Sequence, residues 1–171
     1  MILSLTFGVG YSSIDKSSVS LGIDEKNFLG TGRAVSFGAK VSNSKSNFNL
    51  SLTEPFFLNR NLSASTNIFQ NKTEGTSVTV DKRGVGFGLG FRAANDIYHR
   101  LAYNLIESKT DETSSSSSSS TGENGEKLLS SAVSYRLGIE KRDNRFDPSD
   151  GYFAEISETF SGIGGDVTYL Q

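Results

Sequence analysis

The chain has 171 residues, a formal net charge of -2, 18 glycines, 2 prolines and no cysteine. This near-balance of charge excludes the clustered basic face that nucleic-acid binding requires, and the lack of cysteine excludes disulfide frameworks, thiolate metal sites and cysteine nucleophiles. No stretch approaches about 18 consecutive apolar residues, which excludes a membrane-spanning helix. The mean hydropathy of -0.31 does not exclude a β-barrel, because only every second residue of its strands faces lipid.

The first predicted strand determines the fold class. From Leu3 to Ser12, apolar residues alternate strictly with small or polar ones, which gives a strand one apolar and one polar face. The same alternation recurs around Val19–Ile23 and Val35–Val41, and the charged Asp24 and Lys40 fall on the polar face. A lysine or arginine facing lipid at mid-bilayer costs about 2–4 kcal/mol. The pattern therefore predicts strands that face a membrane on one side.

Alternation continues less regularly along the rest of the chain. The further predicted strands are Phe48–Leu52, Leu62–Ile68, Gly84–Phe91, Ile97–Ile106, Leu128–Glu140, Phe153–Phe160 and a last one beginning at Asp166. A switch of parity near Asp81–Gly84 predicts a bulge or bend. Several runs reach about ten residues, which suits a tilted membrane strand better than a sandwich strand. The predicted fold is all-β: an antiparallel up-and-down transmembrane β-barrel, here a partial barrel of about nine to ten strands.

The connections predict an orientation. The two longest, Asn71–Gly84 and Ser108–Lys127, fall on the same side of an up-and-down sheet. Long loops of such barrels lie outside the cell and short turns lie in the periplasm. The turns at Leu29–Gly32, Leu58–Arg60 and Ala93–Asn95 are accordingly predicted to be periplasmic.

Four strings of residues resemble, in order and spacing, the outer-membrane protein insertase family typified by BamA. They are Asp24–Arg33, Thr53–Phe57, the turn Arg142–Tyr152 and the hairpin Phe160–Tyr169. The resemblance implies that residues 1–171 are a single segment holding the first strands of a longer barrel. It also implies that the family's signal peptide, periplasmic POTRA repeats and C-terminal strands are absent from this sequence.

The resemblance further implies a location and partners. These are the outer-membrane lipid bilayer, nascent β-barrel client proteins, accessory assembly lipoproteins and periplasmic chaperones, with no nucleic acid. In the family, the edge of the first strand templates client strands at a lateral seam. That role corresponds here to the backbone of Leu3, Ser4, Leu5, Thr6, Phe7, Gly8, Val9 and Gly10. Glycine weakens a strand interior, so Gly8 and Gly10 suit a seam that opens.

Other motifs favour structural roles. Glycines at every second position from Gly84 to Gly90 lack the following helix that a phosphate-binding loop needs. Asp143, Asp147 and Asp150 could bind calcium, but they lie in a string rich in turn formers. His99 has no metal-ligand spacing, and Ser114–Ser120 is predicted to be a polar loop.

The sequence thus predicts no catalytic residue, cofactor or metal, and a protein that is not an enzyme. Three alternatives to an insertase remain open. One is a sibling transporter of the TamA or two-partner secretion type. The others are a passive porin-like barrel and a soluble β-sandwich that binds a partner.

Overall fold

A computed structural model of the chain describes residues 3–94, 96–112, 127–144, 146–163 and 169–170. These residues form one antiparallel sheet of ten strands that neighbour one another in chain order, which confirms the predicted all-β, up-and-down class. The strands are β1 (Leu3–Ser12), β2 (Lys16–Glu25), β3 (Ala34–Ser42), β4 (Lys45–Glu54), β5 (Leu62–Glu74), β6 (Val78–Ala94), β7 (Ile97–Glu112), β8 (Lys127–Glu140), β9 (Phe153–Ser161) and β10 (Tyr169–Leu170).

Two short 3-10 turns join strands at the end predicted to be periplasmic. Phe28–Gly30 connects β2 to β3, and Phe57–Asn59 connects β4 to β5. Their central residues, Leu29 and Leu58, have positive φ angles of 52° and 57°. Among the described residues no helix has the length and apolar character needed to cross a membrane.

The strand register confirms the predicted two faces. Val9 lies opposite Val19, which lies opposite Val41, and Phe37 lies opposite Leu50. Directly opposed residues of neighbouring strands project to the same side of a sheet. The apolar residues of β1 to β4 therefore share one face, and Asp24 and Lys40 lie on the other, opposite Ser36 and Ser20.

The apolar face has no protein layer packed on it. Within the described ranges no hydrophobic residue is buried, and even Leu21 and Leu50, on interior strands, are 37% and 46% exposed. A β-sandwich would bury these side chains between two sheets, so the sandwich alternative is wrong for the described residues. An apolar surface of this extent is suited to lipid.

Residues that lie opposite one another on successive strands form rows across the sheet, and the apolar band crosses these rows obliquely. The row that begins with Val9, Val19 and Val41 continues through Ser46 and Lys72 to Asp81. On β6 the lipid-facing apolar residues start only further along the strand, at Val85, which lies opposite Ile68. A band that shifts along successive strands in this way is what strands tilted to the membrane normal produce.

The structure corrects the predicted β5–β6 connection. The strands extend to Glu74 and from Val78, so the long loop predicted at Asn71–Gly84 is wrong. The register is unbroken through Asp81–Gly84, and the irregularity lies instead at Arg92/Ala94. The alternation fails there because both strands continue beyond the apolar band, where water permits outward-facing charge.

Other strand ends also differ from the prediction. β7 runs to Glu112, so its connection to β8 spans residues 113–126 and is shorter than predicted. The predicted serine-rich loop, Ser114–Ser120, lies outside the described residues, as do Asn95 and Asp166. The described part of the tenth strand is Tyr169–Leu170.

Candidate functional site

The candidate pairing edge is strand β1. It pairs with β2 over its whole length, from Leu3 opposite Glu25 to Ser12 opposite Lys16. In the described part of the chain it is the first strand of the sheet and has a neighbour on one side only. Its apolar side chains are correspondingly open to the surroundings, from 56% at Leu3 to 76% at Tyr11. The whole predicted segment, Leu3 to Gly10, thus lies within one continuous strand at an edge of the sheet.

Gly8 and Gly10 lie on the polar face of β1, next to serines of β2. The Ser20 hydroxyl donates to the Gly8 carbonyl and the Ser18 hydroxyl to the Gly10 carbonyl, both at 3.4 Å. A Cβ atom at Gly8 would lie 2.6 Å from Ser20 Oγ, and one at Gly10 would lie 3.1 Å from Ser18 Oγ. The two glycines therefore make room for hydroxyls that hold β1 to β2 on the side away from the edge.

The β1–β2 turn is tied to the neighbouring β3–β4 turn. Asp15 accepts hydrogen bonds from Ser44 Oγ at 2.7 Å and from Lys45 Nζ at 3.2 Å. Its amide donates to Ser12 Oγ at 2.8 Å. The hydrogen bond from Ser44, followed by that from Lys45, holds the pKa of the Asp15 carboxyl below its usual value. These contacts fix one end of the β1–β2 hairpin while the outer edge of β1 stays open.

Across the sheet, the polar face carries a network that the sequence analysis missed. The Tyr98 ring on β7 lies directly over Gly138 on β8, and its hydroxyl donates to Glu155 Oε2 on β9 at 2.7 Å. Arg136 Nε lies 3.4 Å from the same carboxylate. One tyrosine thus spans three strands because Gly138 has no side chain, and the network braces the sheet far from β1.

The β8–β9 turn is organised by Asp143. Its carboxylate accepts hydrogen bonds from the Ser149 amide at 3.0 Å, the Ser149 hydroxyl at 2.6 Å and the Asp150 amide at 3.2 Å. The Ser149 hydroxyl, followed by the backbone N–H groups, lowers the pKa of Asp143 to about 2. Gly151 has φ +99°, a conformation that L side chains rarely adopt. Residues Arg142–Tyr152 form the predicted turn, and the Asp143 carboxylate is occupied by hydrogen bonds within it.

The neighbouring Arg142 pairs with Glu140 and not with Asp143. Arg142 donates two bonds of 2.7 Å to Glu140 and lies over the Phe153 ring. Arg145 lies outside the described residues. Over those residues, no group of three or more His, Cys, Asp and Glu side chains could hold a metal ion.

His99 lies on the lipid-facing side of β7. Its ring stacks on Phe91 with centroids 4.6 Å apart, and its Nδ1 lies 2.7 Å from the Tyr135 hydroxyl. These contacts make it part of an aromatic cluster on the outer face. The alternate glycines of β6 lie on the polar face instead, where a Cβ atom at Gly88 or Gly90 would meet the hydroxyl of Ser65 or Ser63.

A tilted sheet with a lipid-facing apolar surface, a polar surface with bare glycines and an up-and-down order defines the wall of an outer-membrane β-barrel. Comparison with protein families then gives the particular family. The model of the Omp85 superfamily domain matches residues 27–171, and the chain belongs to this superfamily, whose members lie in the outer membrane.

Individual relatives agree with that assignment and confirm the resemblance seen in the sequence. The chain is 27% identical over 172 residues to the outer membrane protein assembly factor BamA of Neorickettsia risticii (strain Illinois), covering 98% of this chain and 23% of the relative. It is also similar to the crystal structure of BamA from Haemophilus ducreyi lacking POTRA domains 1-3, with a TM-score of 0.68, 23% identity, and coverage of 96% of this chain and 35% of that one. The chain is thus a BamA-type partial barrel spanning about a quarter of the BamA relative's length.

Proposed function

We propose that this chain forms one side of a lateral seam in an outer-membrane protein insertase. In this proposal the backbone of Leu3–Gly10 pairs with the incoming strand of a client β-barrel. The observation that carries it is the position of β1 at the edge of the sheet, with its lipid-facing side chains more open than Val19 and Leu21 of the neighbouring β2. Residues 1–171 are taken as the first strands of a barrel that further strands complete.

The energetics of an edge in lipid support pairing by strand addition. Each backbone N–H or C=O left unsatisfied in the hydrocarbon region costs several kcal/mol. About half of the residues of β1 direct these groups away from β2. An empty edge is therefore costly, and β1 must be covered by a closing strand at rest and by a client strand during insertion. Exchange of one strand for the other conserves the hydrogen bonds, so no chemical step is required.

The contacts of β1 suit such an exchange. The serine hydroxyls of β2 bond to the Gly8 and Gly10 carbonyls, and the Asp15 turn anchors the far end of the hairpin. These contacts keep β1 attached to β2 when its other neighbour leaves. At the same time, the two glycines offer little side-chain packing to a closing strand. The seam is thus weaker than the β1–β2 pairing.

The proposal includes partners for the complete protein. The lipid-facing surface contacts the outer-membrane bilayer, and the pairing edge meets nascent β-barrel clients. Accessory lipoproteins and periplasmic chaperones would deliver those clients. The Neorickettsia risticii relative is named an outer membrane protein assembly factor, and the proposed strand exchange uses no catalytic residue or cofactor.

Site-specific cross-linking tests the proposal. Single cysteines would be placed at Leu5, Phe7 and Val9 of the full-length protein, and at the matched lipid-facing positions Phe48 and Leu50 of β4. A client arrested during assembly would carry a cysteine in its terminal strand. We expect disulfides with β1 and not with β4. Equal cross-linking to β4, or none to β1, would contradict pairing at this edge.

A further inference from the structure

The polar face of the sheet carries a basic cleft near the end predicted to be periplasmic. The cleft has a volume of about 560 Å³ and reaches from Pro55 and Asn61, beside the turn between β4 and β5, as far as β9. Three arginines line it, namely Arg92 of β6, Arg100 of β7 and Arg136 of β8. The polar face of a barrel wall lines the lumen, so the cleft opens toward the lumen and not toward lipid.

The register brings these arginines together. Arg100 lies directly opposite Arg136 on one side and Gly90 on the other. The Cβ atoms of directly opposed residues are about 5 Å apart, and like charges in such a pair destabilise a sheet. Arg92 is two residues from Gly90 on the same strand, which makes it a diagonal neighbour of Arg100 at about 7 Å. Three positive charges therefore adjoin on one patch of the lumen wall.

The two carboxylates that line the cleft already have partners. Glu155 accepts a hydrogen bond from the Tyr98 hydroxyl at 2.7 Å and lies 3.4 Å from Arg136 Nε. Glu140 accepts two bonds of 2.7 Å from Arg142, in the turn that follows β8. These pairs compensate Arg136 and Arg142, and they leave the other two arginines of the cleft uncompensated.

Arg92 and Arg100 are exposed on the polar face. The ion pairs of the described residues include neither of them. When Arg142 and Asp96 of the adjoining turns are counted with the lining, four cations lie beside three carboxylates. An anion bound between Arg92 and Arg100 would relieve the repulsion between neighbouring guanidinium groups. A carboxylate suits this position, because guanidinium binds it through two parallel hydrogen bonds.

The floor of the cleft favours a peptide as the source of that carboxylate. At Gly88 and Gly90 the side-chain atoms nearest to an added Cβ would be the hydroxyls of Ser65 and Ser63, and the Ser63 hydroxyl donates to the Gly90 carbonyl at 3.0 Å. A strand that is bare in this way lets another backbone approach closely. A lipid headgroup does not suit this face, because the apolar face of the sheet is the opposite one.

We propose that the cleft binds an acidic segment of an extended polypeptide, which enters from the periplasmic end of the lumen. Carboxylates of the segment pair with Arg92 and Arg100, and its backbone passes over the bare strand at Gly90. The site lies on the lumen side of β6 to β9 and does not depend on strand exchange at β1.

Fluorescence anisotropy of a labelled hexaglutamate peptide tests the site in the full-length protein, held in dodecyl maltoside micelles. Arg92→Gln/Arg100→Gln should bind the peptide about 30-fold more weakly than the parent, because two charge-assisted contacts are lost. The control Lys40→Gln/Lys82→Gln removes two positive charges from the polar face near the opposite ends of β3 and β6, and it should bind like the parent. Heat-modifiable gel mobility would establish that each variant is folded.

A competing anion separates a peptide site from a site for small anions. Equimolar inorganic phosphate should not displace hexaglutamate, because it reaches only one pair of guanidinium groups and makes no contact along the strand. Equal binding by the two double variants, displacement by equimolar phosphate, or no binding to the parent would each overturn the proposal.

Stability gives a second measurement on a single variant. Arg100→Gln removes the repulsion by Arg136, so its urea midpoint should equal or exceed that of the parent while hexaglutamate binding falls. A lower midpoint would show that Arg100 holds the folded sheet together, and it would contradict a site reserved for a ligand.

Discussion

The assignment of the two faces of the sheet leads to a quantitative prediction at neighbouring residues of β4. Leu50 is the middle one of three lipid-facing residues on this strand, between Phe48 and Leu52, and is 46% exposed. Ser51 is adjacent in sequence and projects to the polar face, opposite Ser36 and Asn67. Leu50→Arg and Ser51→Arg therefore place the same charge at the same depth on opposite faces.

The expected costs of the two substitutions differ strongly. Arginine facing lipid near the bilayer centre costs about 2–4 kcal/mol, which lowers the folded-to-unfolded ratio about 30- to 700-fold. Arginine at position 51 extends into the lumen, where water and polar side chains solvate it. Its effect on the free energy of unfolding should stay within about 0.5 kcal/mol, as for an exposed surface substitution.

Urea titration of the full-length protein in phosphatidylcholine vesicles measures both changes. Circular dichroism would follow the loss of strand structure, and Leu50→Met serves as an apolar control that should be nearly neutral. Equal destabilisation by the two arginine variants would refute the face assignment. A larger cost for Ser51→Arg would reverse it.

Four further predictions concern the seam, the network and the turn. Gly10→Ala, whose new Cβ would lie 3.1 Å from Ser18 Oγ, should reduce client assembly because it disturbs the hydroxyl that holds β1 to β2, whereas Gly22→Ala, whose new Cβ would lie 3.5 Å from Thr6 Cβ, should leave the assembly rate unchanged; heat-modifiable gel mobility of the client measures both. Gly8→Pro should impair assembly more severely by removing a backbone donor and fixing φ near about -65°, and normal activity would contradict a role for β1. Tyr98→Phe should destabilise the barrel by about 1 kcal/mol through loss of the bond to Glu155, measured by urea titration against Tyr103→Phe. Because the pKa of Asp143 is lowered to about 2 in the folded protein, its contribution to stability is complete above the usual value of 3.8 and is lost as pH falls through about 2. Hydrogen exchange at the Ser149 and Asp150 amides should therefore increase over that interval relative to Asp143→Asn, and a pH response shared by the variant would contradict this cause.

The alternation of β1 to β4 was sufficient to predict their faces. Because lipid contacts one side of these strands, every second residue must be apolar, and this alternation can be recognised in a single sequence. Beyond the bilayer, outward-facing residues no longer need to be apolar. Asp81 and Arg83 occupy outward positions that water solvates, so the pattern lost its period although the strand continued. The strand ends of β5 to β7 could therefore not be located from alternation.

Contacts between residues that are distant in the sequence also could not be predicted from it. Tyr98 and Glu155 are 57 residues apart, and their meeting depends on the register of three strands and on the missing side chain of Gly138. Asp143, by contrast, bonds to residues within a few positions, so its role in a turn was predictable from local chemistry. The pairing edge at β1 was predicted from family resemblance, and its role stays a prediction.

In the proposed function, β1 works by exchanging its neighbour at the edge of the sheet. Paired cysteines in the full-length protein would lock Val9 or Phe7 to the strand that closes the barrel, and client assembly would be followed by heat-modifiable gel mobility with and without reductant. The oxidised protein should remain folded, stop assembling clients and regain activity on reduction. Assembly at the normal rate by the fully locked protein would contradict it.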